Sequence, residues 1–422
     1  MDSSLFRGKK NRRNLLNIQD PRNTGIYIQI LTFSLIPLAF LARLSMFRFR
    51  ENDFVVFTEW FNYLRVHGAT GLADDFSVYN TPILLLFYLV GLLPVGVTAG
   101  LKGLTFAADI FMAFSIYLVL RHFYKGKSNK IAVLGAIGVL YLPVVLTTGA
   151  WWGQYDQLFM GFVFLSLYSL LKEKSKLSWL FFGIAFAIKL QAIFFLPVLI
   201  LMSFRRIKLW HSLFALTSFA ILSFFPLLLG GSIQTIANIY IRQLSLGNGY
   251  LTIFIPNIYK WITQGSWPNN SGFDYLKNAG IVISFALMIG LLIFNLYKQK
   301  YSDKDVIVLS VLVMLILPMF LPEMHERYMF PVAVMAFVLV MVIPKKSYFW
   351  IALILELTTV MSYAQYLSNW ELQEPPISWG VLALANTGAL IWLTFEYIGK
   401  ASIPKKIMIP EEENIIYVRP VS

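Results

Sequence analysis

The sequence predicts an all-α fold: a polytopic helical membrane protein of about 12–13 transmembrane or re-entrant helices, the number of near-span-length apolar runs it contains. Three observations carry this. The 422 residues are 58% hydrophobic, where a soluble domain is roughly 45–50% apolar. The excess falls in runs of roughly 15–22 residues, close to the ~20 a helix needs to cross the hydrocarbon core. The links between runs alternate between basic and acidic or aromatic, the pattern that orients spans across a membrane. The spans are expected to be helical, because lipid cannot satisfy exposed backbone groups.

The residues up to Thr24 are basic and polar, with Arg7, Lys9, Lys10, Arg12, Arg13 and Arg22 before the first span, Gly25 to Met46. This reads as a cytoplasmic tail and a retained anchor, not a removable signal peptide. An outer loop of about residues 47–81 follows. The later runs are 101–120, 131–149, 158–171, 179–188, 192–204, 209–229, 279–297, 306–321, 331–343, 349–367 and 379–398. The basic links are 121–130, 172–176, 205–208, 298–304, Lys345 with Lys346, and the tail 400–422. Placing them in the cytoplasm gives roughly twelve crossings with both termini inside. The domain reading is therefore a tail (1–24), a membrane body (25–399) and a second tail (400–422).

Two places depart from simple spans. Pro82 to Val97 is apolar, but counting it as a crossing would put the 121–130 basic link outside. It is expected to be re-entrant or interfacial. The segments flanking Lys189 are short and predict a hairpin with Lys189 at its tip, and broken segments often mark binding sites in membrane proteins. The second large outer loop, about 230–278, is expected to carry an interfacial helix and contains the sequon Asn269-Asn270-Ser271.

The net charge of +13 would point to nucleic acid in a soluble protein; here the cations lie in short loops and serve orientation. No cysteine is present, so no disulfide or thiolate metal site exists. No ligand cluster argues for a metal, and no cofactor is expected.

Four polar constellations face the non-cytoplasmic side in this topology. The first outer loop holds Asp53 and Glu59, with the pair Asp74-Asp75 further on. A carboxylate partly desolvated beside aromatic residues can act as a general base near neutral pH; a solvated loop acid is the plainer reading. Trp151-Trp152-Gly153-Gln154-Tyr155-Asp156-Gln157 joins two spans. It reads either as an aromatic belt or as a sugar-stacking surface, and Asp156 at a membrane boundary calls for a partner. Lys189-Leu190-Gln191 places a lysine among apolar residues, where it snorkels or reaches an anion. Met324-His325-Glu326-Arg327-Tyr328 places cations outside, against the loop rule. Arg327 offers a fork suited to phosphate and His325 a donor or proton shuttle; a self-satisfied salt bridge is the alternative. Lys102 and Asp109, seven residues apart in one span, read as a structural charge pair on one helix face.

A carboxylate to activate a hydroxyl and cations to hold a phosphate leaving group together describe transfer from a phosphate-linked donor. The motif order Asp53, Tyr79-Asn80-Thr81-Pro82, Trp152-Gly153-Gln154-Tyr155-Asp156, Lys189-Leu190-Gln191 and His325-Glu326-Arg327-Tyr328 resembles the GT-C superfamily of polytopic glycosyltransferases. Within it, the likeness is to bacterial relatives of the mannosyltransferase that adds the second mannose in GPI-anchor assembly. The likeness extends over about Thr24 to Ile398. It implies a GT-C-like catalytic body and an inverting transfer of a hexose, mannose by family likeness, from a polyprenyl-phosphate donor on the extracytoplasmic face. The acceptor would be a glycolipid, a cell-wall polymer or a protein. Asp53 would be the base, with Glu59, Asp74 and Asp75 as alternatives, because Asp53 lacks the adjacent acid common in the superfamily. Trp152, Gln154, Asp156, Lys189, Gln191, His325, Glu326 and Arg327 would meet donor phosphate or substrate. A bacterial plasma membrane is expected, with the endoplasmic reticulum membrane as the alternative. The rival functions are a lipid-linked sugar transporter or flippase, against which stands the absence of a repeat, and a lipid-carrier polymerase or ligase.

Overall fold

The computed structural model describes residues 21–50, 53–124, 129–245, 250–263, 273–298, 301–368 and 377–399. Glu51, the sequon at 269–271, most of the basic amino-terminal stretch and the tail from Lys400 lie outside the described residues.

The described chain is helical almost throughout. In order it forms α1 (Pro21–Met46), α2 (Asp53–His67), α3 (Thr81–Gly91), α4 (Val97–Phe123), α5 (Lys130–Gly138), α6 (Pro143–Val145), α7 (Asp156–Leu171), α8 (Ser175–Ile188) and α9 (Leu196–Ser203). It continues with α10 (Ser212–Ser223), α11 (Ile233–Ser245), α12 (Asp274–Tyr297), α13 (Asp303–Phe320), α14 (Phe330–Val342), α15 (Lys346–Leu367) and α16 (Trp379–Ile398). Each of the expected apolar runs is helical. The starts follow local chemistry. Pro82, Pro143, Pro197 and Pro331 each occupy the first turn of a helix, where a missing N–H loses nothing. Ser302 caps α13 in a reciprocal capping box with Asp305.

Five helices among the described residues are long and apolar enough to cross a membrane, or six if one bent pair counts as a single span. The bent pair is the expected run 131–149. Lys130–Tyr141 and Pro143–Trp152 meet at 52°, and the second piece ends in a π-helical turn, Leu146–Trp152. A single straight span was expected here; Pro143 breaks it, because proline clashes with the preceding turn and lacks the N–H that would continue it.

Helix α3 has 11 residues, about 16 Å at 1.5 Å per residue, half the hydrocarbon thickness. It therefore does not span alone. At Lys189 the backbone is extended between α8 and a 3-10 turn, Leu190–Phe195, so the expected break in the chain lies at this lysine.

The bundle has an inside and a lipid side. From Val306 to Met319, α13 is buried without interruption, and α7 and α14 are nearly so. By contrast α12 exposes Val282, Phe285 and Ile289, α10 exposes Leu213 and Leu216, and α16 exposes Leu384 and Phe395. A helix that is apolar all round is either a central strut or lipid-facing, and both kinds are present. Outside the bundle, α11 lies in the second large loop as expected. It joins that loop to the first one: Arg242 pairs with Asp75, and Gln243 Nε2 donates to Val78 O and Asn80 Oδ1, both at 2.6 Å.

Candidate active site

Asp53 is the first residue of α2. Its Oδ1 accepts from the Tyr366 hydroxyl at 2.6 Å, and its Oδ2 accepts from Trp152 Nε1 at 3.1 Å and from Gln154 Nε2. Arg327 Nη1 lies 3.9 Å from the same Oδ2. Trp152 and Gln154 reach Asp53 because the π turn ends between them. Gly153 there adopts φ +84°, a left-handed conformation that glycine takes without steric penalty. A Cβ at Gly153 would also meet the Phe54 ring at 2.9 Å. Gln154 is a bridge: its Oε1 accepts from the Tyr79 hydroxyl at 2.6 Å. Trp152 stacks on Tyr366 with centroids 4.6 Å apart, and the Arg327 guanidinium sits 5.2 Å from the Trp152 ring.

Two residues further on, Asp156 opens α7 and points elsewhere. It forms an ion pair with Lys189, and both side chains are largely buried. Snorkelling was one reading of Lys189; the lysine instead turns inward to this carboxylate.

The His325-Glu326-Arg327 stretch is fixed by backbone. Strand β1 (Thr252–Ile253) pairs in parallel with β2 (Met324–His325). Just before β2, Glu323 adopts φ +61°, its N–H donates to Leu251 O at 2.9 Å, and its carboxylate pairs with Lys277 at 2.8 Å. A short 3-10 turn, Glu326–Met329, follows. Burial pushes the Glu326 carboxyl up to about 7 against the opposing pull of Arg327. Burial, with Arg327 and Lys189 nearby, pushes His325 down to about 4. His325 is therefore neutral at physiological pH and offers a hydrogen bond rather than a charge. The Glu326–Arg327 contact is loose: Nε is 3.5 Å from Oε1. Arg327 Nε and Nη1 are buried and have no hydrogen-bond partner.

A cavity of about 360 Å³ borders this cluster. Lys189, Gln191, His325, Arg327, Tyr79 and Tyr328 line its polar part, and Ile83, Ile188, Ile193, Phe194 and Leu321 its apolar part. Asp53, Trp152, Gln154, Asp156 and Glu326 are not in its wall; Arg327 lines the cavity and also approaches Asp53. The structure thus brings together Asp53, Trp152, Gln154, Glu326 and Arg327 in one contact network. Lys189, Gln191 and His325 face the cavity beside it, and Asp156 stands behind Lys189. The alternative bases stand apart. Glu59 is exposed on α2, Asp74 accepts from the Tyr63 hydroxyl at 2.7 Å, and Asp75 pairs with Arg242.

Lys102 and Asp109 do not pair with each other. Arg43 Nε donates to Asp109 at 2.7 Å, and Lys102 Nζ donates to the carbonyls of Ala150 at 2.8 Å and Trp151 at 2.6 Å. The helix-face reading failed because each charge found a stronger partner on a neighbouring helix. Tyr366 escaped the sequence reading; with Tyr363 it forms an i, i+3 pair near the end of α15, the one available signal.

An almost wholly helical membrane body with buried acids and cations gathered beside one cavity is that of a polytopic membrane enzyme. Residues 77–341, more than half of the chain, match the model of glycosyltransferase family 87. The chain belongs to that family and is a GT-C-like membrane glycosyltransferase. The match includes Trp152, Gln154, Asp156, Lys189, Gln191 and the 325–327 stretch, and begins after Asp53. No curated protein matches the chain.

Proposed function

We propose that the protein transfers a hexose, mannose in the first instance, from a polyprenyl-phosphate donor to an acceptor hydroxyl on the extracytoplasmic face, with inversion and with Asp53 as general base. The observation that carries this reading is the placement of Arg327. Two of its donors are buried and unpartnered beside the cavity, and its Nη1 lies 3.9 Å from Asp53. The donor phosphate would sit in the cavity against Arg327 and Lys189, with neutral His325 donating a hydrogen bond. The apolar part of the cavity suits the start of a polyprenyl chain. Asp53, oriented by Tyr366, Trp152 and Gln154, would take the acceptor's hydroxyl proton. The acceptor oxygen then bonds to the anomeric carbon as the bond from that carbon to the phosphate oxygen breaks. Polyprenyl phosphate leaves with the electron pair, its growing charge met by the guanidinium and ammonium groups.

The test uses purified protein in lipid, with radiolabelled polyprenyl-phosphate mannose and glucose offered to wild type and Asp53→Asn. Release of polyprenyl phosphate by the wild type, lost by roughly 10²–10⁴-fold in the variant, is expected for removal of a general base. Turnover unchanged in the variant would move the base to Glu59, Asp74 or Asp75. Donor movement across liposomes without turnover would favour a transporter.

A further inference from the structure

The second half of the broken span, Pro143–Trp152, is gripped at both ends by charged side chains from other helices. At its start, the Val144 N–H has no partner within its own short helix. It donates to Glu356 Oε1 of α15 at 2.7 Å. At its end, the carbonyls of Ala150 and Trp151 receive Lys102 Nζ of α4. Lys102 is fully buried and Glu356 nearly so. An acceptor at the first free N–H and a donor at the last carbonyls satisfy backbone groups that a short helical piece leaves without partners of its own. Lys102 Nζ also lies 4.8 Å from the centroid of the Phe54 ring, beside Asp53. It therefore touches both parties to one contact: the turn that delivers Trp152 and Gln154, and the residue next to the carboxylate that receives them. Neither Lys102 nor Glu356 lines the cavity.

We propose that Lys102 and Glu356 are positioning residues that hold the π turn so that Trp152 and Gln154 orient the Asp53 carboxylate. This rests on the reading of Asp53 as the base. Placing two ionisable side chains inside a membrane bundle is costly, and here the hydrogen bonds of Lys102 Nζ and Glu356 Oε1 go to the backbone of one ten-residue piece. A displacement of that piece by about 1 Å would misdirect the Asp53 lone pair, whereas the cavity meets the piece only at its edge, through Tyr79 on Gln154 and Arg327 over Trp152.

The experiment is steady-state kinetics of the full chain in lipid, with whichever of the two hexose donors the wild type turns over. Lys102→Met and Glu356→Leu are expected to lower kcat roughly ten- to a hundred-fold, the range for a small misplacement of a catalytic group. The donor KM should stay within about two-fold, because no donor contact is removed. Glu356→Gln keeps an acceptor oxygen for Val144 and is expected to restore most of the rate lost in Glu356→Leu. Where Lys102→Met does not fold, Lys102→Gln, which keeps one donor group, serves in its place with the same expectation of reduced kcat. Wild-type kcat in a folded Lys102 variant, or a loss appearing mainly in KM, would overturn the proposal. Asp53→Asn is run in parallel. If that variant stays active, the base assignment falls; if it is dead while the Lys102 variants keep their rate, only the positioning role falls.

Discussion

Two arginines stand near opposite ends of α13 and are similarly buried, Arg206 at 14% and Arg327 at 21% side-chain exposure. Arg206 is a tie. It donates to Asp303 and to Tyr301 O, and the other oxygen of Asp303 meets His122 Nε2 at 2.6 Å, which links α4 and α13 to the chain after α9. Arg327 has two carboxylates nearby, at 3.5 and 3.9 Å, beyond good hydrogen-bond distance, and its Nε and Nη1 are unpartnered. Leaving a buried donor unmet costs about 1–3 kcal/mol. A guanidinium whose carboxylates stand off and whose Nε and Nη1 are open is a poor structural element and a good phosphate site. The difference separates a charge that holds the fold from one that waits for a ligand.

The largest expected effect breaks that comparison directly. Arg327→Ala should reduce turnover roughly 10²–10³-fold, as for loss of an electrostatic transition-state contact, and Arg327→Lys should rescue little because the fork is lost. Arg206→Ala should lower the melting temperature of the lipid-embedded protein and leave kcat per folded molecule near wild type. Equal loss of turnover in both would erase the distinction. A smaller effect sharpens it at the Asp156–Lys189 pair, a tie whose lysine also lines the cavity. Asp156→Asn alone should destabilise by about 3–5 kcal/mol, the cost of stranding a buried charge, and the double variant Asp156→Asn with Lys189→Met by less. The double variant should recover thermal stability but not donor binding. Recovery of both would make Lys189 structural only.

The helices were legible because apolar run length reports them, although among the described residues only five or six, not twelve, are long and apolar enough to cross a membrane. The expected runs are helical, the run 131–149 in two pieces, and the break at Lys189 could be read from two segments too short to cross. Asp53, Trp152, Gln154 and Arg327, which the sequence reading grouped, do meet in one contact network. What could not be read is how a chain bends within the membrane. Pro143 marks a break in the sequence, but the 52° angle, the π turn and the hydrogen bonds that Lys102 and Glu356 make to that piece involve helices far apart in sequence. For the same reason Lys102 was paired with Asp109 on its own helix, since sequence spacing shows neighbours along a helix and not those across a packing interface. Tyr366 belongs to Asp53 only through a contact separated by 313 positions.

The smallest effect concerns the two groups flanking Arg327. Glu326 is raised from 4.5 to about 7, so between those values the folded protein holds a proton that the unfolded chain has released, and stability falls as pH rises. His325 is lowered from 6.5 to about 4, so between those values the unfolded chain holds a proton that the folded protein lacks, and stability rises with pH. The opposing slopes overlap from about pH 4.5 to 6.5, and the contribution of the pair is nearly flat there. Removing one partner should expose the other. Glu326→Gln should leave a melting temperature that climbs with pH between about 4 and 6.5, and His325→Gln one that falls between about 4.5 and 7. Melting curves of the two variants in lipid at stepped pH decide this. Parallel profiles for both would mean that neither group titrates as its surroundings dictate. Opposite slopes would establish that Arg327 is flanked at neutral pH by an uncharged histidine and a carboxyl near its midpoint, leaving the guanidinium's positive charge only partly offset on that side.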